Sequence, residues 1–130
     1  MNGGERVELA QAEFHVCGFS HTETSGQARK VQCVFFAVRL ERGGPWDWSR
    51  DLREQDGWEE HARFMDALVD DGFIVLGGPL VGEREILHAI SAPSEDAVRE
   101  RLAQDNWHEN GMLTVTSIES WTILLDGRPA

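Results

Sequence analysis

From Val31 onward the chain reads as blocks whose apolar spacing changes at each turn signal. Val31 to Leu40, VQCVFFAVRL, is a nearly continuous apolar run with β-branched and aromatic residues, as in a strand covered on at least one face. Gly57 to Leu80, GWEEHARFMDALVDDGFIVLGGPL, predicts a helix that leads directly into a second strand. Trp58, Ala62, Met65, Leu68 and Val69 recur at three- and four-residue steps, while Glu59, Glu60, Arg63, Asp66, Asp70 and Asp71 fall mostly elsewhere. Asp56 and Glu59 have the D-x-x-E spacing of a capping box at its start, and Gly72 ends it. Phe73 to Leu76 is a short β-rich run closed by Gly77, Gly78 and Pro79.

Val81 to Arg84 reads as a turn and EILHAIS as a third strand, so the second and third strands should form a hairpin. Pro93 and Ser94 open a second helix, with Ser94 as cap and Glu95 and Asp96 at its positive end. That helix carries Ala97, Val98, Arg101 and Leu102 on its stripe and runs out near Gln104; DNWHENG follows as a polar turn stopped by Gly111. Met112 to Leu125 makes a last long strand, with a bulge near Ser117 and Ile118 where the alternation slips. The order is strand, helix, strand, strand, helix, strand. A βαββαβ unit places both helices on one face of a four-stranded antiparallel sheet, the ferredoxin-like α+β arrangement. The other face would be left apolar and bare, which predicts a homodimer packed sheet face to sheet face as an α+β barrel.

Residues 1–30 lack a sustained period and end in a Ser-, Thr-, Gly- and Gln-rich stretch, so they read as an arm before one domain over 31–126, with 127–130 as a tail. Glu13 to Phe19 offers an alternative, an added edge strand. Glu41 to Gln55 is a long connection holding Trp46 and Trp48 around Asp47. Tryptophans in a polar loop bury their rings against the core, a partner subunit or a ligand, and the sequence leaves these open.

Composition narrows the partners. Twelve Lys and Arg against 23 Asp and Glu give a net charge of −11 over 130 residues, which repels nucleic acid and anionic lipid. No apolar run is long enough for a membrane span, and two cysteines, Cys17 and Cys33, are too few for a disulfide framework, so the cytoplasm is the expected compartment. His15, Cys17 and His21 form an H-x-C-x3-H set without the paired short spacing of a zinc module, so no metal is expected there. No cofactor motif is visible; Gly77-Gly78-Pro79 precedes no helix and is not a phosphate loop. Ser49, Ser94 and Cys33 have no base placed by motif, which argues against nucleophilic catalysis. His61 lies at the edge of the first helix's apolar stripe, a turn beyond Trp58, aimed at the seam between helix and sheet. His88 sits in a strand between apolar residues, where it could face a pocket or the interface, a packed or exposed side chain being the more ordinary outcome.

Two motifs in order, EEHARFMDALVDDGFIVLGGPL and LAQDNWHENGMLTVTSIESW, resemble the YciI-like (YCII-related) family over roughly residues 32–125. His61, Gly78-Pro79, Asp105, Trp107, Gly111 and Trp121 carry the likeness; Asn106 departs from it, standing where the family has proline. The resemblance implies a dimeric α+β barrel with a histidine and an aspartate as an acid–base pair. Helices laid along one sheet face would bring the start of the first near the end of the second, making His61 and Asp105 neighbours. A carboxylate on one imidazole nitrogen leaves the other to move a proton near neutral pH. The expectation is therefore a small acid–base enzyme for an uncharged or cationic small molecule, with Trp46, Trp48, Pro79 and His108 at the pocket. The alternatives are a non-catalytic ligand-binding or interaction domain that uses the tryptophan loop to hold a small molecule or partner, and a dimer-forming structural module with no ligand. In the structural reading of the pair, His61 fills the seam and Asp105 caps the turn after the second helix.

Overall fold

The computed structural model describes residues 15–17 and 31–129. Four strands form an antiparallel sheet: β2 (Val31–Arg42), β3 (Ile74–Pro79), β4 (Glu85–Ala92) and β5 (Leu113–Ser120), laid side by side as β5–β2–β4–β3. Short β1 (His15–Cys17) joins the start of β2, with His15 opposite Cys33, inside the Glu13–Phe19 span read as an added strand. The side chains of His15, Cys17 and His21 fall outside the described residues, as does the rest of the arm. Three helices complete an α+β fold: α1 (Trp58–Asp70), α2 (Glu95–Leu102) and α3 (Asn106–Glu109).

Alternation on the strands sets the layers. Phe36, Val38 and Leu40 of β2 and Ile86 and Ile90 of β4 point to one side, where they form a core with Leu68 of α1, Val98 and Leu102 of α2, and Trp107 of α3. Each fully buried Leu or Val contributes about 2 kcal/mol of transfer free energy. The intervening residues Phe35, Ala37, Leu87 and Ala89 are half-buried on the opposite face. That face is more mixed than the sequence suggested. Arg39 and Glu85 pair across it at 3.7 Å, Glu41, Thr114 and Glu119 are exposed on it, and the Arg128 guanidinium lies 5.4 Å from the Phe35 ring centre.

Several boundaries differ from the sequence reading for local reasons. α1 starts without the expected Asp56 cap: Gly57, at φ 81°, is the N-cap, and Asp56 instead meets the Arg50 guanidinium at 3.2 Å. Ser94 does cap α2, accepting from Ala97 N at 3.1 Å. The DNWHENG turn contains α3, nucleated by Asp105. β5 ends at Ser120, five residues short of Leu125; Trp121 N–H still donates to Phe35 O at 2.9 Å before the chain leaves the sheet. Arg39 faces Ser117 but Leu40 faces Val115, so the bulge falls at Thr116, where the Oγ1–H donates to Arg39 O at 3.2 Å. The long connection is folded around buried Gln55: its Nε2 donates to Asp47 O at 2.7 Å and Arg50 O at 3.0 Å, and its Oε1 accepts from Asp47 N at 3.0 Å.

Candidate functional site

His61 stands one turn into α1, with its backbone N–H donating to Gly57 O at 3.0 Å. Asp105 follows α2 in extended backbone and is the N-cap of α3, where a carboxylate both accepts from the second helical N–H and complements the helix dipole. The crossings bring these residues, 44 apart in sequence, into contact: His61 Nδ1 lies 2.8 and 2.9 Å from the two Asp105 oxygens. Both residues are buried, at 7% and 4% exposure. Asp105 Oδ1 also accepts from Trp107 N at 3.2 Å. A carboxylate receiving from two sides is the acceptor in each bond, which assigns the shared proton to His61 Nδ1 and leaves Nε2 for exchange.

Trp107 completes the setting. Its indole lies against the imidazole, centres 3.9 Å apart and planes 11° from parallel, while its Nε1–H donates to Asp56 O at 2.8 Å. Asn106, the first residue of α3, donates from Nδ2 to Gly57 O at 3.1 Å. Three consecutive residues of one element thus tie down the first turn of another. Gly57 is required for it: a Cβ there would sit 2.7 Å from Asn106 Nδ2 and 3.2 Å from Trp107 Nε1, besides the left-handed φ.

The other tryptophans surround this joint. Trp58 is tilted 6.0 Å from both His61 and Trp107, and Trp46 meets Trp107 edge-on at 5.3 Å. Trp46 is buried core beneath the Arg42 guanidinium, 4.3 Å away, so it backs Trp107 rather than lining an opening. Burial lowers the Arg42 pKa, with Glu83 opposing. Trp48, by contrast, is 50% exposed, with Arg84 4.9 Å above its ring. Pro79 closes β3 opposite Ile86, two positions from Gly77 on the helix-covered face. His108 is half-buried on α3; its backbone N–H donates to Asp105 O at 3.0 Å, and its buried Nδ1 has no partner. His108 thus reaches the Asp105 main chain and not the carboxylate.

A second histidine belongs to this region. His88 projects from β4 between Ile86 and Ile90 onto the covered face and is 7% exposed. Burial, with the charge of His61 adding and that of Asp105 opposing, lowers its pKa from 6.5 to about 4. Among the described residues no three His, Cys, Asp or Glu side chains gather as a metal-binding set. The hydroxyls weighed as nucleophiles are engaged elsewhere: Ser94 in capping, and Ser49 in donating to Asp47 Oδ1 at 2.6 Å, which helps hold the Asp47 carboxylate below its ordinary range. Cys33 is fully buried and disulfide-bonded.

Of the residues singled out in the sequence, His61 and Asp105 meet, Trp46 and His108 lie around them, and Trp48 and Pro79 are peripheral. Trp107 and His88 were not read as site residues. An aromatic two positions after a capping aspartate was the available signal for Trp107; for His88 the signal was its place between Ile86 and Ile90 on a strand, while its pairing with Gly77 depends on strand register. Compared with family models, curated proteins and solved structures, the chain matches none.

Proposed function

We propose that the chain is a small-molecule acid–base enzyme of YciI-like type, working without a cofactor, with His61 as the group that moves the proton and Asp105 as its fixed partner. The observation that carries this reading is the bond from His61 Nδ1 to both Asp105 oxygens at 2.8 and 2.9 Å between two buried side chains. With Nδ1–H held by the carboxylate, Nε2 is the base. The imidazolium formed on taking a proton remains paired with Asp105 and stacked on Trp107, so its charge is met on an edge and a face. Isomerisation, elimination or hydrolysis fits such a group, and a net charge of −11 favours an uncharged or cationic substrate.

The strand order β5–β2–β4–β3, with α1, α2 and α3 all contributing to one core, supports a ferredoxin-like unit. Half-buried Phe35, Ala37, Leu87 and Ala89 support a second copy on the helix-free face. The cytoplasmic setting that the low cysteine count suggests has an observation against it, because a disulfide such as that at Cys33 is uncommon in a reducing compartment.

A second reading, a non-catalytic homodimeric ligand-binding or interaction domain, is favoured by one fact: Asp105, Asn106 and Trp107 are also the fastening between α3 and α1. Deuterium wash-in separates the two. A panel of small carbonyl compounds is incubated with the protein in heavy water and read by proton NMR. Exchange at an acidic C–H position that is lost in His61→Gln supports the enzyme; exchange no faster than in that variant for every compound leaves the binding domain.

A further inference from the structure

The sheet beneath the dyad holds a polar group that the reading above leaves unused. His88 lies directly across from Gly77 of β3, and its ring leans over that glycine: a Cβ on Gly77 would overlap His88 Nδ1. The hydrogen that takes the place of that Cβ therefore faces Nδ1. Nδ1 is buried and has no hydrogen-bond partner. A proton there would be a strong donor left without an acceptor in the interior, whereas a lone pair against a glycine Cα–H keeps a weak contact. The ring is thereby fixed as the Nε2–H tautomer. The ring atoms nearest Gly77 are Nδ1, Cε1 and Cγ, so Nε2 lies on the side away from that backbone. Ile86 and Ile90, which flank His88 on the covered face, pack in one core with Leu68 of α1 and Trp107 of α3, the residue on which His61 stacks. The ring therefore faces the layer where His61 and Asp105 meet, and theirs are the charges that act on it.

We propose that His88 is a ligand-binding residue of the His61–Asp105 site, its Nε2–H donating to the oxygen of a small carbonyl compound, with Gly77 making room for the ring. The inference rests on the acid–base reading and names its substrate class. In the step it serves, His61 Nε2 takes a proton from the carbon next to the carbonyl. The C–H electron pair becomes the enolate π bond and the carbonyl π pair moves onto oxygen, where the His88 N–H meets the developing charge. His61 becomes an imidazolium opposite the Asp105 carboxylate. A fixed neutral donor suits an oxyanion whose charge appears only during the reaction, because no solvent has to reorganise around it.

The test uses side-chain nitrogen NMR of the full-length protein with 4-nitrophenolate as the probe, a flat delocalised oxyanion resembling an enolate. In the free protein His88 is expected as the Nε2–H tautomer. Saturating probe should move that proton's resonance, and His88→Leu should weaken probe binding about tenfold, the scale of one hydrogen bond to a charged acceptor, with His88→Gln recovering part of it. Gly77→Ala should shift the His88 ring signals without probe. An Nδ1–H tautomer, no saturable binding, or equal binding in His88→Leu overturns the proposal. The outcomes also separate the two readings. Deuterium exchange by the wild type with probe binding indifferent to His88 leaves the dyad and removes His88, whereas a His88–probe bond without any exchange leaves an oxyanion subsite and removes the enzyme.

Discussion

The imidazole of His61 lies flat on the indole of Trp107, 3.9 Å between centres, while Trp107 hangs from Asp56 O through its own N–H. The stack limits rotation of the imidazole. Trp107→Leu should lower stability by about 3 kcal/mol in urea unfolding, combining a cavity with the lost bond to Asp56. Trp107→Phe keeps an aromatic face but, like Trp107→Leu, lacks the N–H, so it should recover only part of the loss; equal losses in the two variants would count against the stack with His61.

Asp105 acts twice, toward His61 and toward Trp107 N, so two substitutions should separate its roles. Asp105→Asn retains an oxygen for the cap and removes the charge. It should change the protonated nitrogen of His61, read from nitrogen chemical shifts, and abolish any proton-exchange activity with α3 intact. Asp105→Ala also removes the cap and should cost about 1 kcal/mol more in stability.

Acid should weaken the fold through His88. Its pKa in the folded chain, about 4, lies below the ordinary 6.5, so between those values the unfolded chain holds the extra proton. The stability contributed by the neutral ring is full above about 6.5 and declines as pH falls toward 4, by on the order of 3 kcal/mol in total. Comparing urea midpoints at neutral pH and at about pH 5, His88→Leu should flatten the decline by about 2 kcal/mol. An unchanged slope would mean that another group carries the acid sensitivity.

Gln55 is the pivot of the 47–55 connection, with both ends of its amide in use. Gln55→Ala should cost about 2 kcal/mol and speed hydrogen exchange at Asp47 more than in α2. Uniform exchange changes along the chain would show that the loop does not open on its own.

The pattern of apolar positions was enough to read the strand and helix order, because alternation along β2 and the three- and four-residue steps of α1 are local properties. The meeting of His61 and Asp105 could be argued from that order alone, since helices on one sheet face bring their ends together at its rim. The start of α1 could not. Asp56 has the sequence of a cap, but Asn106 and Trp107 bind the carbonyls of Gly57 and Asp56, and the fit of α3 requires Gly57 to be the capping residue. α3 itself is four residues long and owes its existence to Asp105 and to the burial of Trp107, neither of which leaves a period to detect. The setting of His88 was hidden for a different reason, although its place between apolar strand residues was plain. Its pairing with Gly77 follows a register shift between Ile74 and Leu76, and register is a property of two strands together.

Four of the five tryptophans, Trp48, Trp46, Trp107 and Trp58, follow one another ring to ring, and the last two lie against His61. With tyrosine absent from the sequence, most of the chain's near-ultraviolet absorption arises at this one corner. A charged imidazole quenches an indole stacked against it, so the brightness of the unlabelled protein is a built-in optical gauge of whether His61 is holding its proton.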